Sequence, residues 1–539
     1  MFDLLTIIKI LDRGFSLNIL FNKVLGLKEF SKNWIEEGSM KKNCLVLGIL
    51  GFVVLSIAVP AYSWQGRMGG MGDPYGLVED ESDFLIHPAG IANGKGINIY
   101  GNYRLSWEDV TDWKHKRIDI LTGNTLRNPM SASGDEWNHD ALMGAAFPFG
   151  PGRMGIFFQY STKNGDFDGN EPSSVGLFKF GFKNELDDIV LRLLYGLPIG
   201  GFKLGGEIKL AYRQEENKTS IFSNAVSIDN ITFGRPFDQT NTLPYMLPFD
   251  SKYWQASFKG SLEGSIGPAK FSFTTHGGFI FSGENENHYL NIILPATILQ
   301  DKDYKGDVNG YEVGADFWFR VPLSKDLSSP LLIKFDYMEK KRDGFAVGAP
   351  WGVITNDPSF YRNKELFFNF EVGGGIDKSL GKEARVAAGL YYNFLRNKKT
   401  WGYDIFSPSL YYADYPDYPI AKEHQIVLKL SGEKEISPMF ILRMGLDAFY
   451  GWLSEDFNYR ENSPILLKLP LNGNHFGIGA WLGSTVKFNQ LSIEPFVGGG
   501  YQRFNVDGDA IWPANTSILE MELSKKTWSI GGGFSIKFN

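Results

Sequence analysis

Ile97-Asn98-Ile99-Tyr100-Gly101-Asn102-Tyr103-Arg104-Leu105-Ser106-Trp107 is a stretch with two unlike faces. Ile97, Ile99, Gly101, Tyr103, Leu105 and Trp107 fall on one side, and Asn98, Tyr100, Asn102, Arg104 and Ser106 on the other. Period-two alternation of apolar and polar residues is the signature of a strand with one face out of water. The pattern returns over Trp254 to Gly264, Tyr311 to Val321, Arg385 to Phe394 and Arg443 to Trp452. The polar side of the third of these carries Glu312, Asp316 and Arg320. Charges at that spacing are tolerable in a membrane-spanning strand only if they point into a lumen. An open sheet edge in lipid leaves backbone N–H and C=O groups unpaired, at several kcal/mol each, roughly, so the sheet must close on itself.

Outward from these strands, the connections alternate between short and long. Short turns fall near Gly150-Pro151-Gly152, Pro198 to Gly201, Gly267-Pro268, Ser324 to Ser329, Lys378 to Lys382, Glu435 to Pro438 and Asn489-Gln490. Long polar stretches fall at 109–138, 163–187, 215–251, 284–308, 341–364, 398–421, 454–474 and 506–525. Short periplasmic turns and long extracellular loops are the asymmetry of outer-membrane barrels. Eight long loops imply eight hairpins. Val175 to Phe182 and Ile189 to Leu197 both have strand character, which breaks the parity. The first then belongs to a loop hairpin, or the two form one long strand. The fold expected is all-β: a transmembrane antiparallel β-barrel of about 14–16 strands over residues 97–539. The last segment, Thr527 to Asn539, sets Trp528, Ile530, Gly532, Phe534, Ile536 and Phe538 on its outward face. An amphipathic closing strand with a terminal aromatic resembles the signal read by the outer-membrane barrel assembly machinery, with Trp528, Phe534 and Phe538 as its candidate residues. Asn539 after the aromatic is a small departure.

Composition agrees. Aromatics make up 15 % of the 539 residues and Gly numbers 62, a bias that a soluble all-β protein can show and that a transmembrane barrel with aromatic girdles shows too. Mean hydropathy is only −0.18, which a barrel permits because half of each strand faces a polar interior. Met40-Lys41-Lys42, the apolar run Leu45 to Val59 and the small-residue site Ala61-Tyr62-Ser63 have the layout of a secretory signal peptide over 40–63. Residues 1–39 are then expected to be a non-native upstream extension, since the codons of Glu36-Glu37-Gly38 can spell a ribosome-binding site before Met40. The single cysteine, Cys44, lies inside the signal, so the exported chain has no thiol chemistry, disulfide or Cys-ligated metal. The net charge of −7, without a basic stripe, argues against nucleic acid.

Trp64 to Gly96 does not alternate. It runs through Arg67-Met68-Gly69-Gly70-Met71-Gly72, Val78-Glu79-Asp80-Glu81-Ser82 and His87-Pro88-Ala89-Gly90-Ile91-Ala92. The order and spacing of Arg67, Met71-Gly72, Val78, Asp80, Ser82, Pro88-Ala89-Gly90 and Ala92 resemble the mature amino terminus of FadL-type outer-membrane transporters of long-chain fatty acids and aromatic hydrocarbons. The departure is His87, where that family carries Asn. The resemblance is strong over about 26 residues, while the rest agrees in architecture. Related barrels, including type IX secretion shuttle proteins, share the motif.

The resemblance implies an N-terminal hatch, residues 64–96, that plugs the lumen. It makes His87, Pro88, Ala89 and Gly90 candidates for the turn where ligand passes. Arg67, Asp80 and Ser82 become candidates for anchoring the hatch. The turn itself either meets ligand or only anchors the hatch to the wall. A His in it adds a titratable group.

Nothing in the sequence asks for catalysis. His87, His115, His139, His276, His288, His424 and His475 lack zinc-site spacing. His139 and Asp140 are adjacent, hence on opposite faces of a strand. His276 falls on an inward position with Thr274 and Gly278. Gly373–Gly375, Gly498–Gly500 and Gly531–Gly533 precede no helix and so are not phosphate loops. The expectation is a non-enzymatic channel of a Gram-negative outer membrane, without cofactor or metal. It would be partnered by outer-membrane lipid, the barrel assembly machinery and a hydrophobic small-molecule ligand. The alternatives are a general or polar-solute porin, or a structural barrel serving a secretion or electron-transfer complex.

Overall fold

The computed structural model describes residues 68–69, 71–72, 75–79 and 81–538, except 120–129, 174–175, 223–226, 230–248, 294–296, 348–359, 404–419, 460–466, 490 and 513–516. These all belong to one compact unit, Ala61–Asn539. The upstream extension, the signal peptide with Cys44, and Arg67 and Asp80 lie outside the described residues.

The strands, in chain order, are β1 (Asn98–Asp119), β2 (Met130–Phe149), β3 (Gly152–Ser173), β4 (Gly176–Ile199), β5 (Phe202–Phe222), β6 (Ser227–Asp229), β7 (Phe249–Ile266), β8 (Ala269–Ile293) and β9 (Thr297–Pro322). They continue as β10 (Leu327–Val347), β11 (Phe360–Leu380), β12 (Ala384–Tyr403), β13 (Ile420–Ser437), β14 (Phe440–Tyr459), β15 (Leu467–Phe488), β16 (Leu491–Trp512) and β17 (Ser517–Phe538). Each pairs antiparallel with its sequence neighbours, and β17 pairs with β1 from Phe538↔Ile99 onward, which closes the sheet. The three-residue β6 pairs only with the end of β5, and β5 runs directly alongside β7. The wall therefore has sixteen staves. Closure removes every edge, which satisfies the backbone without water.

The alternation places side chains as the sequence implies. Asn98, Tyr100 and Asn102 are buried inward, as are Ser257 and Ser261, while Phe258 between them is 48 % exposed on the outside. The long loops read from the sequence are in large part paired strand. β3 and β4 stay in register up to Ser173↔Gly176, and β8 and β9 remain paired, through register shifts, up to Ile293↔Thr297. Val175 lies outside the described residues, and the rest of the doubtful region, from Gly176 through Leu197, is one continuous strand. Periodicity misses such extensions for a physical reason. Beyond the lipid both faces of a strand are wet, so the apolar half of the pattern vanishes while the hydrogen-bond ladder continues. Lys163 to Asp166 illustrates this: it pairs with β4 and has Lys183 and Asp166 3.1 Å apart on an exposed face.

The outer surface is apolar and rimmed by aromatics. Ring contacts join Trp107 to Trp137, Tyr212 to Trp254, Tyr311 to Tyr337, Phe368 to Phe394, and Phe476 to Tyr501 and on to Trp528. Between several neighbouring strands the belt drifts along the register, while Tyr212 and Trp254 are direct partners. Tyr311 is paired with Glu339 while the next aromatic is Tyr337, Phe476 with Arg503 while the next is Tyr501, and Trp528 with Asp109 while the next is Trp107. Each of these three steps lies two residues nearer the short-turn end, as expected of a level belt on tilted staves. On β14 the apolar outward run from Leu442 to Trp452 measures about 25 Å in height at a tilt of about 40°. That is the apolar height of a transmembrane barrel.

One arc of the wall is folded sharply. β8 carries one extra residue near Phe281 relative to both neighbours. Inward positions on β8 are even below this bulge (Ser272, Thr274) and odd above it (Asn285). A bulge bends its strand and re-aims the side chains beyond it. Above it, a β-carbon on Gly283 would lie 2.8 Å from both Tyr253 of β7 and Val308 of β9.

Candidate functional site

The described residues ahead of β1, from Met68 on, lie inside the barrel, against inward-facing residues of the wall. Its conformation is set by two short 3-10 turns, Glu81–Leu85 and Pro88–Asn93. Pro88 suits the first position of the second turn, where no N–H is needed. The His87 side chain makes no capping bond to that turn, so its ring is free to bond elsewhere.

Two apolar seats hold this strap. Met68, Met71, Leu77 and Val78 pack with Leu332 of β10 and with Ala387 and Tyr391 of β12. Phe84, Leu85 and Ile91 pack with Tyr100, Leu142, Ala146, Phe157 and Leu194 on β1 to β4. Phe84, Tyr100 and Phe157 form a ring trio with centroids 5.5–5.7 Å apart. Close approach depends on wall glycines, and at two of them the strap backbone itself comes nearest. A β-carbon on Gly205 of β5 would stand 2.0 Å from the Ala89 nitrogen, and one on Gly445 of β14 would stand 2.1 Å from the Met71 carbonyl carbon.

An irregular buried segment must find partners for its backbone groups, and charged wall residues supply them. Leu85 O accepts from Arg192 Nη2 at 2.7 Å and from Lys259 Nζ at 3.0 Å. Leu77 O accepts from Arg320 Nη2 at 2.8 Å, and Gly76 O from Trp318 Nε1 at 3.1 Å. Gly96 O accepts from Arg153 Nη1 at 2.7 Å. The Ala89 N–H donates to Ser261 Oγ at 2.6 Å. The cations have acids of their own: Glu207 binds Arg192 at 2.5 Å, and Asp377 binds both Arg320 and Arg385. These arginines therefore join wall strand to wall strand and strap to wall at once.

His87 ties the two halves of the strap to β8. Its Nε2 lies 2.8 Å from the Tyr75 hydroxyl and its Nδ1 2.6 Å from Thr274 Oγ1. Burial, with Lys259 nearby, lowers the His87 pKa from 6.5 to about 4. Burial, with Asp316 second, raises that of Tyr75. Because the folded pKa of His87 lies below its free value, proton uptake favours release. The contribution to seating is full above pH 6.5 and is lost as pH falls from there to about 4. A spin label at Asn93→Cys should gain mobility over that window in the parent and show no such step in His87→Asn. The same step in both proteins would remove His87 as its cause.

Of the residues singled out from sequence, His87, Pro88 and Ala89 are buried against β5, β7 and β8, and Gly90 follows them in the 3-10 turn. Ser82 lies in the first 3-10 turn, with its side chain outside the described residues. Trp528 is 54 % exposed in the outer aromatic belt, Phe534 faces Tyr103 with centroids 6.1 Å apart, and Phe538 ends β17 between Ile99 and Leu491. His276 does face inward, 3.4 Å from Asp336. No group of three or more potential metal ligands occurs among the described residues. Sequence reasoning missed Tyr75, Ser261, Arg192, Lys259 and Trp318, and marked Thr274 and Arg320 only as inward wall residues. Parity marks the wall members as inward, but not the height at which the strap crosses them.

No protein-family model matches the chain, and no curated protein matches it. Among solved structures it is similar to the P. putida toluene transporter TodX, at 13 % identity over 89 % of this chain and 99 % of that one, with a TM-score of 0.39. It is also similar to a Pseudomonas aeruginosa FadL homologue, at 10 % identity over 89 % and 98 %, with a TM-score of 0.41. A third is the Ralstonia pickettii toluene transporter TbuX, at 9 % identity over 90 % and 100 %, with a TM-score of 0.37.

Proposed function

We propose that the protein is a passive uptake channel of a Gram-negative outer membrane, FadL-like, in which residues 64–96 plug the lumen and the cargo is a small hydrophobic molecule such as a fatty acid or aromatic hydrocarbon. Export uses the signal peptide over 40–63, and assembly uses the closing strand with Trp528, Phe534 and Phe538. The observation that carries this reading is the strap itself. It touches β14 at Gly445, β10 at Leu332 and β5 at Gly205, and so runs from one part of the wall to another inside the barrel. A sixteen-stranded barrel with an empty lumen is a water-filled pore. One with a segment seated at buried, paired contacts is a gated conduit. The His87-Pro88-Ala89-Gly90 turn sits where the strap meets β5 and β7, and is the passage turn on this reading.

A second reading, uptake of polar solutes, is favoured by the charge of the lumen. His276, Asp336 and Lys334 form an inward cluster, with Lys334 Nζ 3.1 Å from Asp336. His475 and Glu423 form another at 2.9 Å. Uptake of labelled dodecanoate and toluene, in a deletion strain with and without the restored gene, separates the two. The first reading expects restored uptake that drops when His87-Pro88-Ala89 is replaced together. Uptake unaffected by deletion and by the triple substitution overturns it, and sugar-driven swelling of proteoliposomes would support the second.

A further inference from the structure

Above the outer aromatic belt, toward the long-loop end, the wall carries unlike charges on its two sides. Leu331 and Ile333 on β10, Ile376 on β11, Leu390 on β12 and Ile426 on β13 are exposed and fix which parity faces outward. On those same faces, beyond the belt, stand Lys341, Lys364, Arg396 and Lys422. Glu339 is the one acid among the described outward side chains there. Lys341 is the direct partner of Lys364, and Arg396 of Lys422. Like charges directly opposite one another are destabilising, and an anion laid across them removes that cost. Glu339 does so for the first pair, 2.9 Å from Lys341 and 3.1 Å from Lys364.

On the far side of the barrel the balance is reversed. Asp135, Asp166, Glu185 and Asp187 face outward above the belt on β2 to β4, against Lys183. Asp135 accepts from the indole of Trp137 and Asp187 from the Tyr160 hydroxyl, so this acidic band also begins at the belt.

Height says what covers the basic side. Arg396 is one outward step beyond Phe394 and Lys422 one beyond His424, whose rings lie 4.8 Å apart. Lys341 and Lys364 are two steps beyond Tyr337 and Phe368, which pair directly. One such step rises roughly 5 Å at a tilt of about 40°. The four cations thus lie about 5–10 Å beyond the belt, in the head-group layer of a bilayer. Below them the same strands present Leu390, Ile426 and Leu428 to lipid. An occupant must therefore be anionic above and acyl-chained below. Four cations to one acid also call for more charge than a phosphodiester carries, whereas a phosphate monoester has roughly two negative charges at neutral pH.

We propose that the outward face of β10 to β13 binds an outer-leaflet glycolipid whose head carries phosphate monoesters, with Arg396 and Lys422 on one phosphate and Lys341 and Lys364 beside it. This rests on the outer-membrane placement proposed above, but not on the cargo. The glycolipid then sits on one side of the barrel and is repelled from the acidic side.

The experiment titrates the purified full barrel in detergent with a deep-rough lipopolysaccharide, with the same lipid after phosphatase treatment, and with phosphatidylglycerol. Native mass spectrometry counts the bound molecules. The parent should bind the phosphorylated glycolipid above the other two. Arg396→Gln with Lys422→Gln should weaken that binding roughly thirtyfold, about fivefold for each cation lost beside an anionic surface. Heat-modified migration of this variant should match the parent, since both side chains face outward. The matched control is Lys183→Gln with Lys305→Gln, which removes the same charge from lysines 59 % and 57 % exposed on β4 and β9 and should leave binding unchanged. The proposal is overturned if the patch variant binds like the parent, if the control loses as much, or if either comparison lipid binds as tightly as the phosphorylated glycolipid. Absence of the protein from the outer-membrane band of a sucrose gradient would remove the placement beneath it. Failed binding with correct banding would remove this patch alone and leave the uptake reading standing.

Discussion

Glu215→Leu should destabilise the barrel by about 3–5 kcal/mol, the cost of breaking a buried ion pair from one side. Glu215 stands on β5, yet its partners are on β10: Lys340 Nζ at 2.9 Å, and Arg342 Nη2 in a short contact. It also accepts the Tyr253 hydroxyl at 2.7 Å. Three strands of the wall, β7, β8 and β9, lie between. In a circular sixteen-stranded barrel, staves four places apart stand roughly 20 Å from each other, beyond the joint reach of a Glu and an Arg side chain. The clasp can form because the wall folds tightly at the β8 bulge, and in turn it holds that fold.

Arg342 is 1 % exposed and Lys340 8 %, so neither cation can turn to water when the carboxylate is removed. Glu365, 3.1 Å from Arg342 and 3.7 Å from Lys340, remains beside both, and Arg342 keeps its bond to Ser251 Oγ at 3.2 Å. The control is Glu286→Gln. Glu286 pairs with Lys305 at 2.7 Å, but the two side chains are 60 % and 57 % exposed, and such pairs contribute at most about 1 kcal/mol. The midpoint of heat-modified migration on denaturing gels, measured for both variants, decides. Equal shifts would show that the clasp is no stronger than a surface pair.

Gly205→Val and Gly445→Leu should each turn a nearly closed barrel into an open one, raising single-channel conductance in planar bilayers tenfold or more. A β-carbon at these positions enters the strap backbone at 2.0 and 2.1 Å, where nothing on the partner side is a flexible side-chain tip. The wall is held by ladders on both sides, whereas the strap is held by its seats, so the strap is what yields. An unplugged sixteen-stranded barrel leaves an aqueous channel. Gly101→Ala is the matched control, since its β-carbon meets no atom within 4 Å on the outside of β1. Parent-like conductance in both strap variants, with barrels that still migrate as folded, would mean that the strap is not the barrier.

Much of the wall was legible in the chain because its rule is local. Ile97 to Trp107 alternates because each stave separates lipid from lumen, and the inward burial of Asn98, Tyr100 and Asn102 repeats that alternation. Turns such as Gly150-Pro151 and Gly267-Pro268 were legible too, since Gly150 and Gly267 adopt the positive φ that a tight reversal needs. The segment around His87 stood out because it broke the alternation. What only the tertiary structure decided is where distant pieces meet. No periodicity tells that Arg192 and Lys259 converge on the Leu85 carbonyl, that Thr274 takes the His87 ring, or that Glu215 reaches Lys340 across three staves. Parity states which way a side chain points. Height in the barrel and curvature of the wall depend on stave tilt, on one extra residue near Phe281 and on the path of the strap, and these are properties of the closed sheet as a whole.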